Sequence, residues 1–260
     1  PNAFKSGKAY NVIGSTDFAV LRNTSASRRN SLGLIIQEVS NIVRLDYQVN
    51  GVTMLLVEPQ RTNLNNNSNI LTTSDYSKSN LSVVAETSIS PLSTGLSNRI
   101  IEDSANTTKG IFKNVSISQN LAITISGIYK SNGRNIRLLC LSTNFASAFF
   151  VTVNLTNGAI IDSGAQGTAT LSGFTVKDIG NGWYSISATG IIPNVSAVLQ
   201  ASFLFDTSVS YQGNGSAGVY AVAMQLEQAT SASSSIFTNG SAVTRNEDVL
   251  TVSPPAGTVK

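Results

Sequence analysis

Side chains able to do chemistry are sparse in this sequence, and most of them are aromatic, amide or hydroxyl groups. Tyr129, Arg137, Asn144 and Phe145 fall within one stretch of predicted strands, in company with Arg134, Phe149 and Phe150. Aromatic faces pack on the C–H faces of pyranose rings, and Arg and Asn exchange hydrogen bonds with sugar hydroxyls. This set therefore predicts a carbohydrate-binding patch. The competing reading is a phenylalanine core with an arginine whose stem lies along it. Tyr211, Gln212 and Asn214 stand in a long polar loop, where a protruding aromatic predicts a ligand or subunit contact. Trp183-Tyr184 is a further stacking candidate. Adjacent strand residues face opposite ways, however, and a lone Trp just after a turn serves more often as a core anchor. The predicted carbohydrate-binding residues are Tyr129, Arg137, Asn144, Phe145, Tyr211 and Asn214.

Catalytic options are narrow. The chain has no histidine, which removes the commonest general base and any Ser-His or Cys-His pair. Its one cysteine, Cys140, sits in the apolar run Ile136–Leu141 and reads as inert core. The acid pairs Glu102-Asp103 and Glu247-Asp248 are adjacent in sequence. Adjacency on a strand does not set two acids facing each other across a sugar. They read as solvated loop charge, with a structural calcium as the alternative. The expectation is a protein that is not an enzyme and carries no cofactor apart from that calcium.

Hydrophobic residues make up 41% of the 260 residues, enough for a sizeable core, while charged residues make up only 12%. Such a surface suits hydroxyl-rich ligands or protein contacts. The net charge of +3 is concentrated in residues 1–65, where Lys5, Lys8, Arg22, Arg28, Arg29, Arg44 and Arg61 face Asp17, Glu38, Asp46 and Glu58. This bias fits docking on an acidic protein surface, and is too thin a basic stripe for nucleic acid. No apolar run approaches membrane-spanning length, and no signal peptide is visible. Pro1 is what remains when an initiator methionine precedes proline, so a native, cytoplasmically made N-terminus is expected. Residues 253–260 read as a tail, and a trypsin-like cut after Lys260 would account for its end.

These residues must be positioned by strands. Candidates in the first part are Ala9–Ile13, Phe18–Leu21, Leu32–Val39, Ile42–Tyr47 and Val52–Val57, short and poorly alternating. Alone they bury little, so they are expected to pack on another subunit or on the next domain. Residues 62–80, RTNLNNNSNILTTSDYSKS, read as a polar loop or linker. Beyond them the turn signals Ser131–Arg134, Asn157-Gly158, Asn181-Gly182 and Gly213–Gly215 predict four hairpins. The fold class expected is all-β: an antiparallel jelly-roll-type β-sandwich over residues 66–252, preceded by a strand-rich region over 1–65.

Several segments carry a resemblance. RLDYQVNGVTMLLVEPQRTN (44–63), DFAVLRNTSASRRNSLGLIIQEVSNIVRLDYQVN (17–50), DIGNGWY (178–184), VAMQLE (222–227) and IFTNGSAVTRNEDV (236–249) together resemble small bacteriophage virion proteins of head-fibre, head-spike and tail-fibre type. That resemblance implies an N-terminal attachment and oligomerisation region followed by a lectin-like sandwich. It implies a homo-oligomer, a trimer favoured and a dimer open, located in the virion after synthesis in the host cytoplasm. Its partners would be phage capsid or tail proteins and host-surface glycans, with no nucleic acid and no membrane insertion. The alternatives are a decoration protein without ligand, or a polysaccharide depolymerase spike.

Overall fold

The computed structural model describes residues 2–5, 8–11, 18–118, 120–193, 198–204 and 210–252; the predicted tail 253–260 lies outside them. The chain divides into two compact units. One comprises Pro1–Arg61, Ser233–Ser235 and Thr244–Lys260; the other comprises Thr62–Ala232 and Ile236–Val243. The strands, in chain order, begin with β1 (Asn2–Lys5), β2 (Lys8–Asn11), β3 (Phe18–Leu21), β4 (Ala26–Arg29), β5 (Ile35–Glu38), β6 (Arg44–Tyr47), β7 (Thr53–Leu56) and β8 (Arg61–Asn63). They continue with β9 (Ser77–Ser79), β10 (Leu81–Glu86), β11 (Ser97–Glu102), β12 (Asn106–Thr107), β13 (Gly110–Ser116), β14 (Ile123–Asn132), β15 (Ile136–Ser142) and β16 (Ala148–Val153). The last are β17 (Ile160–Gln166), β18 (Thr170–Gly180), β19 (Trp183–Ile191), β20 (Val198–Leu204), β21 (Tyr211–Gln212), β22 (Gly218–Glu227), β23 (Val243–Arg245) and β24 (Val249–Val252). Among the described residues there is no helix.

The larger unit is an antiparallel sandwich of jelly-roll type. Its first sheet runs β10-β11-β22-β14-β19-β18 and its second β17-β16-β15-β20-β13-β9. Alternation along each strand decides what lies between them. Ile100, Ile123, Ile125, Tyr129, Ile186 and Val219 from the first sheet meet Ile111, Ile136, Leu138, Cys140, Phe149 and Val151 from the second in one core. Burial pushes the Cys140 thiol up to about 12, so this cysteine is inert packing, as its apolar run predicts.

Two of the four predicted hairpins are hairpins: β16–β17 around Asn157-Gly158 and β18–β19 around Asn181-Gly182. The other two are corrected. β14 and β15, on either side of Ser131–Arg134, belong to different sheets, and so do β20 and β22. A sandwich of this type must pass its chain between sheets, and a Gly-containing turn serves a crossover as readily as a hairpin.

The polar run is a loop over residues 64–76, as one of its two readings has it, but it is packed into the sandwich unit and is no linker. Asn63, Asn65, Asn67 and Ser68 are buried. β11 pairs with β22 only as far as Ala221. From there the asparagines take over. Leu64 N–H donates to the Leu226 carbonyl at 2.8 Å and Met224 N–H to the Ser68 carbonyl at 3.0 Å. Asn65 Nδ2 donates to the Met224 carbonyl at 2.7 Å, and the Leu226 and Ala223 N–H groups donate to Asn63 Oδ1 and Asn69 Oδ1. Buried backbone groups need partners, and short amide side chains supply both a donor and an acceptor where the ladder ends.

The smaller unit consists of two-stranded pairs. β1–β2, β4–β5 and β6–β7 are hairpins, and β24 pairs with β3 from Val249↔Leu21 to Val252↔Phe18. Residues 244–252, expected to lie in the sandwich domain, thus return to the N-terminal unit. Val20, Ala26, Ile35 and Leu45 are its buried apolar side chains among the described residues. Its interior is ionic. Arg22 Nη1 donates to Asp248 Oδ1 at 2.7 Å, and Arg44 Nη2 bridges Asp248 and Glu58, the latter at 2.8 Å. Arg245 pairs with Glu58 and donates to the Pro59 carbonyl at 2.7 Å. Ser234 N–H and Oγ close the cluster on Glu58 at 2.7 and 2.6 Å. Burial alone would raise both carboxyls, but the arginines and the hydrogen bonds outweigh it and hold Glu58 and Asp248 below the ordinary carboxylate range.

Candidate functional site

The six residues predicted to bind carbohydrate are dispersed over the sandwich. Tyr129 is wholly buried in the core and offers no surface to a ligand. The strand alternation that places Ile125 inside also turns its ring inward, past a bulge between Ser126 and Ile128 that shifts the register.

Tyr211 and Asn214 come together around Glu102. Tyr211 Oη donates to Glu102 Oε2 at 2.6 Å and Asn214 N–H to Oε1 at 2.8 Å. Arg134 completes the set with a two-pronged contact at 2.8 and 2.7 Å. Two cations lie over the Tyr211 ring, with Arg134 Cζ 4.8 Å and Lys109 Nζ 5.4 Å from its centroid. Asn214 Oδ1 accepts from the N–H groups of Ser216 and Ala217, forming the turn before β22. Burial would raise the Glu102 carboxyl, yet Arg134, Tyr211 and the Asn214 amide together hold it low. Glu102 and Asp248 are therefore buried ion-pair partners, a correction to the solvated charge expected of both. In each acid pair the neighbour, Asp103 or Glu247, is the more open member.

Asn144 and Phe145 sit at the other end of β15. About 3.3 Å of rise per residue separates Arg137 from Ser142 by roughly 16 Å, and the two loop residues lie beyond that. The Asn144 side chain rigidifies the loop: its Oδ1 accepts from Ser142 Oγ at 2.7 Å and from the Ala146 N–H at 3.2 Å. Phe145 is 68% exposed. Its φ of +60° puts it in the left-handed region, where glycine is the usual occupant.

Arg137 has the richest surroundings. Ile136, Leu138 and Cys140 point into the core, so Arg137 and Leu139 point outward, as do Phe150 and Thr152 beside Phe149 and Val151. Register sets Arg137 opposite Thr152 and Asp162, and Leu139 opposite Phe150 and Gly164. Arg137 Nε donates to Thr152 Oγ1 at 2.7 Å and Nη2 to Asp162 Oδ2 at 3.0 Å. Its guanidinium stacks 4.4 Å from the Phe150 ring centroid. The ring lies along Gly164, where an added Cβ would stand 3.6 Å from it. Through Ser202 of β20, the half-buried Phe112 of β13 falls in the row of Leu139 and Phe150. The result is a sheet face with a half-buried ring, a half-exposed carboxylate and apolar neighbours, backed by Arg137 and Thr152, which are themselves buried at 9% and 0% exposure. Sequence reading placed Arg137 and Phe150 together. It missed Asp162, Thr152 and Phe112, which only strand register brings alongside.

Trp183 is buried against Tyr220, with centroids 6.4 Å apart at 56°, so it packs instead of presenting a face to solvent.

No protein-family model and no curated protein matches this sequence. Among solved structures, the chain is similar to the CBM22-1 xylan-binding domain of Xyn10C from Paenibacillus barcinonensis, at 11% identity and a TM-score of 0.37, covering 66% of this chain and 94% of that one. It is also similar to the enzymatically active domain of tailspike protein 4 from bacteriophage CBA120, at 11% identity and a TM-score of 0.35, covering 62% of this chain and 21% of that one. Likenesses this distant do not reach to what this chain binds.

Proposed function

We propose that this chain is a non-enzymatic bacteriophage virion appendage, of head- or tail-fibre type, that adheres to surface glycans through the outward face of its second sheet. The observation that carries this reading is the Arg137–Phe150–Asp162 constellation with Leu139 and Phe112 beside it. The half-buried Phe150 ring, stiffened from beside by the buried Arg137 guanidinium and flanked by Leu139 and Phe112, offers an apolar surface with the Asp162 carboxylate at its rim. That is the chemistry a sugar ring requires. The buried carboxylates Glu102, Glu58 and Asp248 are each engaged by arginines in ion pairs, which leaves these three structural and not free to serve as a hydrolytic acid. The smaller unit would serve attachment to capsid or tail proteins and self-assembly, a trimer favoured. Several copies on one particle then convert weak individual binding into useful adhesion.

The test is a bacterial and mucin glycan array probed with assembled protein. Reproducible binding that disappears in Phe150→Ala is the expected result. A clean negative with correctly assembled wild-type protein would instead indicate a decoration protein without ligand.

A further inference from the structure

The first sheet carries a second polar feature on its outward face. β18 and β19 form its floor and the segment after β22 its wall, enclosing a cleft of about 250 Å³. Ser187 and Thr189 alternate with the core residues Ile186 and Ala188, so both hydroxyls point outward into this cleft. Register sets Ser187 opposite Thr175, and Thr189 opposite Gly173 on one side and Thr124 on the other. Thr230 and Ser231 add hydroxyls from the wall, and no charged side chain lines the cleft.

Hydrogen bookkeeping fixes what this lining can accept. Thr124 Oγ1 donates to the Ala229 carbonyl at 2.9 Å, so the 2.8 Å contact between Thr124 and Thr189 must carry the Thr189 hydrogen. Thr189 therefore faces the cleft as an acceptor. The 2.8 Å contact between Thr175 and Ser187 consumes one hydrogen of that pair and leaves the other as a donor. Side chains two apart on β19 stand about 7 Å from each other. An acceptor and a donor at that spacing, with no charge nearby, match groups that both donate and accept. A carboxylate would set its lone pairs against Thr189, and an ammonium would leave the Thr175–Ser187 donor unmet.

The geometry points to this cleft as a binding site for one neutral sugar residue or a similar small polyol, separate from the Arg137 face and independent of that reading. Gly173 gives it room. An added Cβ there would meet nothing within 4 Å, and the glycine is not in the left-handed region, so a side chain could fill the cleft without backbone strain.

Saturation-transfer NMR on the full chain, with free D-glucose, D-galactose, D-mannose and N-acetyl-D-glucosamine tried singly, tests the proposal. The cleft variants are made in the Phe150→Ala background, so that the Arg137 face does not contribute. At least one sugar should give a signal in Phe150→Ala that is lost when Gly173→Leu or Thr189→Val is added. Melting temperatures check that each variant is folded, and Thr189→Val carries the test should Gly173→Leu not fold. No signal with any of the four sugars in Phe150→Ala, or a signal there that survives both added substitutions, overturns it.

Discussion

Phe145 is the residue at which local physics and sequence disagree most openly. A large side chain at φ +60° costs about 1–2 kcal/mol relative to the right-handed region, and glycine does not carry that cost. The loop holds it there with hydrogen bonds from its own backbone and from Asn144: Phe145 N–H donates to the Ser142 carbonyl at 2.8 Å, and Ser142 N–H to the Ser147 carbonyl at 2.9 Å. Nothing is gained in packing, since the ring stands in solvent. Phe145→Gly should therefore stabilise the sandwich by about 1 kcal/mol, read as a higher urea midpoint with unchanged slope. A lower midpoint would mean that the ring packs on its loop more than its exposure indicates. Strain at an exposed aromatic makes Phe145 worth testing as a contact residue, and the same variant is an informative control on the glycan array.

At the scale of elements, the segments that carry the phage-fibre resemblance acquire a physical meaning. Arg44 of RLDY, Glu58 of LLVEPQRTN, and Arg245 and Asp248 of SAVTRNEDV are far apart in sequence, yet they meet with Arg22 in one buried cluster. The sequence showed these motifs but not their meeting, because charge pairing over such separations has no local signature. Asn157-Gly158 and Asn181-Gly182 were legible as hairpin turns, since positive φ is a local demand. Whether a turn joins strands of one sheet or of two is decided by the whole sandwich, which is why Ser131–Arg134 misled. The asparagine run misled for the opposite reason: polar composition reads as solvent exposure until a broken backbone ladder is seen beside it. Arg137 was legible as a candidate, whereas its partners Thr152 and Asp162 required register. The cluster also makes a prediction. Asp248→Asn leaves Arg22 and Arg44 buried and poorly compensated, and should destabilise the N-terminal unit by about 3–5 kcal/mol. Because Asp248 and Glu58 titrate lower in the folded than in the unfolded chain, their stabilisation is complete above the ordinary carboxylate range and is lost as pH falls through the depressed values. Hydrogen exchange over residues 18–58 should show protection falling on acidification in the wild type and already reduced at neutral pH in Asp248→Asn. Equal protection in both proteins would remove the cluster from the account of stability.

For the molecule as a whole, the contrast between the two units argues for assembly. The sandwich closes a continuous core between two six-stranded sheets. In the smaller unit, paired strands surround an ionic centre, while Leu32, Val39, Val49, Val52, Met54 and Val57 are exposed. Two-stranded ribbons are marginal in water unless a further layer covers them, and exposed apolar side chains such as these are what a covering layer would bury. A second and third copy of the same chain would provide that cover in fixed stoichiometry, and a closed ring would bury the same patch on every protomer. Light scattering on the purified chain should then give a mass that is a whole multiple of one protomer, three being favoured. Leu32→Glu combined with Met54→Glu should reduce it to one, with the sandwich still folded by thermal melting. A wild-type chain that is monomeric at every concentration would defeat this reading and, with it, the multivalency on which weak sugar binding depends. On the proposed reading, assembly and adhesion would be linked by the same arithmetic: the smaller unit would set how many copies of the Arg137 face are presented together.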